Sequence, residues 1–183
     1  AKYDPKNNSW KKSSIGFPNP TADIKDAFVY SRRLYLLDPS NNQIYRHGPT
    51  NSGFSDGREW ITDVEADIKK GVSLAIDGNV FILTSNGQIK KFSAGKEVGF
   101  KINGLDPSLT SANQIWTYFE LNYIYVLDSS QKRIVILNKE DGTLKKQLTA
   151  NNFVNPSSMI IDEANDIGYV LDNDKLYQIE LGL

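Results

Sequence analysis

Asp38, Asp128 and Asp172 each end an apolar run and open a polar turn, and the last two stand 44 positions apart. Carboxylates recurring at such intervals could converge on one rim and hold a cation, if enough oxygen ligands met at one point. The same residue type is favoured at turns for a local reason, because its side chain accepts hydrogen bonds from nearby amides. In the run that ends at Asp128, Arg133 stands five positions on and offers that carboxylate a cationic partner. Other chemistry is scarce. Cysteine is absent and His47 is the single histidine, so thiolate metal sites, cysteine nucleophiles and two-histidine catalysis are excluded. No Gly-rich phosphate loop, GxSxG elbow or HExxH pair occurs. His47 follows a strand-like run and is expected at a surface or in a turn.

The 183 residues suffice for one domain with a substantial core. Lys and Arg total 21 against 22 Asp and Glu, a net charge of −1 that gives no electrostatic case for nucleic acid or anionic lipid as partner. Ten of the basic residues fall in the pairs Lys11-Lys12, Arg32-Arg33, Lys69-Lys70, Lys90-Lys91 and Lys145-Lys146, spread over different faces and expected as solvated surface. No apolar run approaches the ~18 residues that span a bilayer. Residue 1 is Ala and no basic-then-apolar leader follows, so a signal segment is expected to have been removed or never present.

What must position these residues is a repeat. Leu34-Tyr35-Leu36-Leu37-Asp38, Val80-Phe81-Ile82-Leu83-Thr84, Ile124-Tyr125-Val126-Leu127-Asp128 and Gly168-Tyr169-Val170-Leu171-Asp172 recur at spacings of 46, 44 and 44. Each is followed by a polar turn and a second apolar strand, and preceded by a third strand-like stretch. Several strands per period of about 45 residues imply propeller blades rather than helical repeats. Asp77-Gly78-Asn79, Ser85-Asn86-Gly87 and Asp141-Gly142-Thr143 are hairpin turns by type. The expected fold is therefore all-β: a β-propeller of about four four-stranded antiparallel blades in one domain, 1–183. The units run approximately over 27–63, 71–102, 111–150 and 155–183.

Fourth strands are expected at Glu59-Trp60-Ile61, Val98 to Ile102 and Leu144 to Leu148. The last unit lacks one, and Ser9-Trp10-Lys11-Lys12, within 9–15, is expected to complete it and close the ring. The alternative is a fragment of a larger, six-bladed ring that self-associates. Thr62 to Lys70 carries acids early and lysines late and predicts a short helix. Thr21 to Asp26 and Asp106 to Asn113 predict 3₁₀ turns. Val29, Ala75, Phe119 and Ile160 are expected along the channel, and Trp10, Trp60 and Trp116 between blades. Tyr35, Phe81, Tyr125 and Tyr169 recur in one slot and predict a shared packing position.

The segment Tyr125 to Leu137 (YVLDSSQKRIVIL), followed by Asp141-Gly142-Thr143, resembles the NHL-type propeller repeat. Blade one has Gln43 where that repeat has Arg, blade two has Thr84 and Gln88, and blade four has Lys175. The resemblance implies a ring that binds ligands or proteins, with some members acting as sensor or scaffold domains outside a bacterial membrane. A few relatives bind RNA and a few are metal-dependent enzymes.

The sequence thus predicts a non-catalytic binding module, with no cofactor, no metal, no nucleic acid and no direct membrane contact. An extracytoplasmic place at the cell envelope is favoured over the cytoplasm. The ligand, protein or small molecule, is expected on the face that carries the loops between second and third strands and those entering first strands. Its contacts would be Asp38, Asn42, Asn86, Asn113, Gln114, Asp128, Lys132, Arg133, Asn155 and Asp172. The competing expectation is a metal-dependent hydrolase or lactonase with its site at the channel mouth. The long loop Gly48 to Arg58 is a further recognition candidate.

Overall fold

The computed structural model describes residues 2–11 and 14–183. Four antiparallel sheets follow one another along the chain as the blades of an all-β propeller. Blade one pairs Asp26–Tyr30, Arg33–Asp38, Gln43–His47 and Arg58–Glu59 in that order. Blade two pairs Gly71–Ile76, Val80–Thr84, Ile89–Ser93 and Lys96–Val98. Blade three pairs Gln114–Trp116, Tyr123–Asp128, Arg133–Asn138 and Leu144–Thr149. Blade four has three strands among the described residues, Pro156–Asp162, Ile167–Asp172 and Lys175–Glu180.

The turn between second and third strands has a shared backbone solution. Asn42, Gly87, Lys132 and Asn173 all adopt positive φ, between 51° and 80°. Gly and Asn take that left-handed conformation most readily, and Lys132 takes it against its own sterics. Alternation along the strands then sends one set of side chains to each neighbouring blade. Tyr35, Leu37 and Ile44 pack on Leu74, Ile76 and Ile82. Phe81, Leu83 and Ile89 pack on Ile115, Ile124 and Val135. Tyr125, Leu127 and Ile134 pack on Met159, Ile161 and Val170. Burying each such side chain stabilises the fold by about 1.5–3 kcal/mol. The aromatic slot is thus a packing position in the first three blades. Trp60 sits against the first of these clusters and Trp116 against the third.

Several expectations are corrected. Ser9–Lys11 does not complete blade four; it pairs with Lys2–Asp4, with Tyr3 opposite Trp10. Those rings lie 5.1 Å apart, and Tyr3 Oη donates to Asn8 Oδ1 at 2.8 Å. A hairpin this short closes at far lower entropic cost than a strand returning from the other end of the chain. Trp10 is left 71% exposed instead of sitting between blades; Lys12 lies outside the described residues. Thr62 to Lys70 forms no helix. Asn42 explains why: its Nδ2 donates to Ala66 O at 2.7 Å and its Oδ1 accepts from Ile68 N at 2.7 Å, which holds the segment in irregular turns.

The 3₁₀ turns lie at Ser129–Gln131 and Glu163–Asn165, not at the two sites predicted. Blade two's outer strand is Lys96–Val98, starting two residues earlier than expected, because Gly95 at φ 84° turns the chain there. The long loop contains a small hairpin, Pro49–Thr50 with Gly53–Phe54. No helix among the described residues is long and apolar enough to cross a membrane.

Candidate functional site

Asp38 and Asp128 are bound within their own turns, and Asp172 is bound to the loop that enters the first strand of its blade. Asp38 is fully buried. Its Oδ1 accepts from Ser40 Oγ at 2.6 Å and Asn41 N at 3.2 Å, and its Oδ2 from Asn41 Nδ2 at 2.7 Å. Burial pushes the acid's pKa up, but the hydrogen bonds from Ser40 and Asn41 outweigh it and hold the pKa below the usual carboxylate value. Asp128 repeats the arrangement with Ser130 Oγ at 2.7 Å and Gln131 Nε2 at 2.9 Å. Asp172 accepts from the amides of Val154 at 2.8 Å and Asn155 at 2.5 Å. In blade two, Thr84 Oγ1 plays the same part, donating to Asn86 Oδ1 at 2.7 Å and accepting from Gln88 N at 3.0 Å.

Arg133 is buried as well. Its Nε donates to Asp128 Oδ2 at 3.0 Å and its Nη2 to Pro107 O at 2.7 Å. Asp38, Asp128 and Arg133 therefore brace the turns after the second strands, Asp172 braces the 154–155 loop, and none of the four faces solvent, which corrects their assignment as ligand contacts. Asn42 is spent on the 66–68 backbone. Asn86, Lys132 and Asn155 are exposed at the loop tips. No group of three or more His, Asp or Glu side chains arranged to hold a metal occurs among the described residues.

Asn113 and Gln114 alone of the ten line the central cavity. This cavity of about 270 Å³ opens where the first strands begin, between Lys25, Asp26, Phe28, Ser73, Trp116 and Ser157. Hydrogen bonds from one blade to the next form its floor. Asp26 Oδ2 accepts from Leu74 N and from Ser73 Oγ, both at 2.8 Å. Ser73 Oγ accepts from Ile115 N at 3.3 Å. Gln114 accepts from Met159 N at 2.6 Å through Oε1 and donates to Met159 O at 3.2 Å through Nε2. Asp26, Ser73 and Gln114 occupy one register position, opposite Leu37, Leu83 and Leu127.

A second groove of about 380 Å³ adjoins the first, sharing Lys25 and Val72, and adds Ser40, Lys69, Lys70 and Ser85. Lys69 and Lys70 are exposed, and Lys25 Nζ pairs with Asp23 at 2.8 Å. The first groove is thus largely polar, and Lys69 and Lys70 stand as exposed cations on the rim of the second. Sequence reasoning passed over Lys69-Lys70 as plain surface and missed Asp26 and Ser73. A polar residue near the start of each first strand was the signal available.

The expected channel lining is also corrected. Ala75 is buried between blades two and three, while Val29, Phe119 and Ile160 are exposed. Instead Phe28 meets Trp116 at 6.2 Å and Tyr30 meets Tyr118 at 5.8 Å, between the inner edges of blades one and three. A one-residue change of register exchanges the two faces of a strand, which is the difference between Val29 and Phe28. His47, expected at the surface, is fully buried. The loop folds back over it: Nδ1 lies 2.9 Å from Ser55 O, and Phe17 packs edge-on at 5.6 Å.

No family model and no curated protein matches the chain. Solved structures do. The computationally designed Ika4 protein superposes with a TM-score of 0.63 at 10% identity, over 94% of this chain and 100% of its own. Kluyveromyces lactis Hsv2p superposes with a TM-score of 0.61 at 13% identity, over 88% of this chain and 50% of its own. Streptogramin B lyase gives 0.56 at 12% identity, over 91% and 57%. The chain therefore spans all of the designed protein but about half the length of the other two. These likenesses support the propeller fold and nothing finer.

Proposed function

We propose that this propeller is a binding ring without chemistry of its own, and that its ligand seats across the two adjoining grooves at the entry ends of the first strands. The observation that carries the reading is the continuity of those grooves around Lys25 and Val72. Concave, mostly preformed sites with a few convergent polar groups are where ligands bind. Lys69 and Lys70 favour anionic groups, and Trp116 and Phe28 supply apolar area. An acidic peptide segment of a partner protein has the required chemistry. The NHL resemblance, with its sensor or scaffold role outside a bacterial membrane, belongs to this reading.

The hydrolase alternative needs oxygen or imidazole ligands free to converge. Asp38 and Asp128 are committed to their own turns, Asp172 to the amides of Val154 and Asn155, and buried His47 meets Ser55 through Nδ1, which leaves that reading without support from these groups.

Amide NMR with a hexaglutamate peptide as probe tests the proposal. Shifts are expected at residues 25, 69–72 and 113–116, with binding lost in Lys69→Glu/Lys70→Glu. Equal shifts at the opposite turns, 31–33 and 163–166, or no saturable shifts, would overturn it. A thermal shift of several degrees with Ca²⁺ or Zn²⁺ would favour the hydrolase instead.

A further inference from the structure

Three of the blade positions repeat a rule that the fourth breaks. One side chain near the start of the first strand, at the same register in blades one, two and three, accepts an amide of the next blade: Asp26 from Leu74, Ser73 from Ile115 and Gln114 from Met159. In blade four the residue in that register is Ser158, opposite Leu171. Its hydroxyl has no partner among the described residues. The amide that the rule would bring to it, Ala27 N of a first blade, is turned onto its own neighbour, Asp26 Oδ1, at 2.8 Å.

The apolar face follows the same pattern. Tyr35, Leu37 and Ile44, with their counterparts in blades two and three, are all buried against the next blade. Their counterparts in blade four are not: Leu171 is 41% exposed and Leu176 69%, beside Ile160 at 57%. Blade one in turn leaves Val29 54% exposed on the face that would receive them, beside Tyr45 and His47, which Phe17 of the same chain covers. No hydrophobic cluster joins blades four and one, although one joins every other neighbouring pair. Charge agrees with apolar shape. The turn between first and second strands of blade one carries Arg32 and Arg33, exposed and without ionic partners among the described residues. The corresponding end of blade four carries Asp162, Asp166 and Glu180.

We infer that the occupant of this face is a second copy of the chain, with blade four of each copy stacked on blade one of the other. The two unmatched faces complement each other, and heterologous contacts between identical chains close into a ring when the rotation allows. The four blades span 50% of Hsv2p and 57% of the lyase, so two copies supply blades for a ring of that length. In the pair, Ser158 Oγ takes the Ala27 amide, and Leu171 and Leu176 cover Val29.

Sedimentation equilibrium of the 183-residue chain at micromolar concentration is expected to give twice the 20.6 kDa monomer mass. Leu176→Asp, in blade four's face, and Val29→Asp, in blade one's, each raise the dissociation constant about 10- to 100-fold. Val64→Asp, at an exposed site elsewhere, leaves it unchanged. Circular dichroism melts establish that each variant is folded. Mixing the Leu176→Asp and Val29→Asp chains restores one intact junction and is expected to give a mixed dimer tighter than either variant alone. A monomeric parent chain overturns the inference. So does a Val29→Asp chain that dimerises like the parent, since that result means blade four pairs with blade four.

Discussion

Arg133 Nε donates to Asp128 Oδ2 at 3.0 Å, and both side chains are withdrawn from solvent. Removing one partner of a buried pair strands the other charge, which is the expensive case. Arg133→Met is expected to cost about 3–5 kcal/mol. The double variant Arg133→Met/Asp128→Asn should recover part of that loss, because neither site then holds an unpaired charge. Urea unfolding of the parent, both single variants and the double variant checks this coupling.

Gly87 turns the chain of blade two at φ 80°, and a Cβ there would overlap the backbone carbonyl of Leu109. Positive φ and backbone overlap both penalise a side chain at this point. Gly87→Ala is expected to destabilise by at least about 1–3 kcal/mol. Asn86→Ala, one residue earlier and exposed, loses only its bond from Thr84 and should cost less. Thermal melts of the two variants side by side give the comparison.

Tyr45 is fully buried, and its hydroxyl meets no hydrogen-bond partner among the described residues. Burial first, then the nearby Asp38 carboxylate, pushes its pKa up to about 12. Burial and the bond to Glu163 also raise Tyr125. A raised folded-state value means that the folded chain holds the proton more tightly than the unfolded chain. The corresponding stability is complete below pH 10, the ordinary tyrosine value, and is lost as pH climbs toward 12. The melting temperature should therefore fall across that window, and Tyr45→Phe should make the fall shallower. At neutral pH the same substitution should be neutral or stabilising, since it removes an unsatisfied polar group. Asp38 works in the opposite sense. Its lowered pKa contributes stability above 3.8 that is lost as pH falls below it.

Asn42 holds the 62–70 segment through Ala66 O and Ile68 N. Asn42→Ala is expected to cost about 1–3 kcal/mol by losing both bonds. Hydrogen exchange should accelerate most at Ile68, whose amide loses its acceptor. Uniform acceleration across all blades would mean that Asn42 acts only on global stability.

The repeat was legible because blades one to three bury their second strands on both sides, so Leu-Tyr-Leu-Leu-Asp and its counterparts stay apolar. The pairing of Asp128 with Arg133 was legible for the same reason: both lie on neighbouring strands, within one turn of sequence. Long-range closures were not. His47 is polar and follows a strand, and nothing local shows that Phe17 and Ser55 will cover it. The helix-like acids and lysines of Thr62 to Lys70 yield to one side chain, Asn42, from another strand. Ser9–Lys11 has strand character, but strand character does not select a partner, and the partner beside it in sequence wins. In the grooves, Asn113 and Gln114 were found because they precede a recognisable strand. Lys69 and Lys70 were passed over because paired lysines are ordinary surface.

Carboxylate, hydroxyl and carboxamide all serve at the register shared by Asp26, Ser73 and Gln114, because what each grips is a main-chain amide. Selection there acts on reach and on having an acceptor atom, with little demand on residue identity. Each cassette can consequently drift, duplicate or be swapped without forfeiting its grip on the next, and such assemblies can lengthen by whole units while their sequences grow apart.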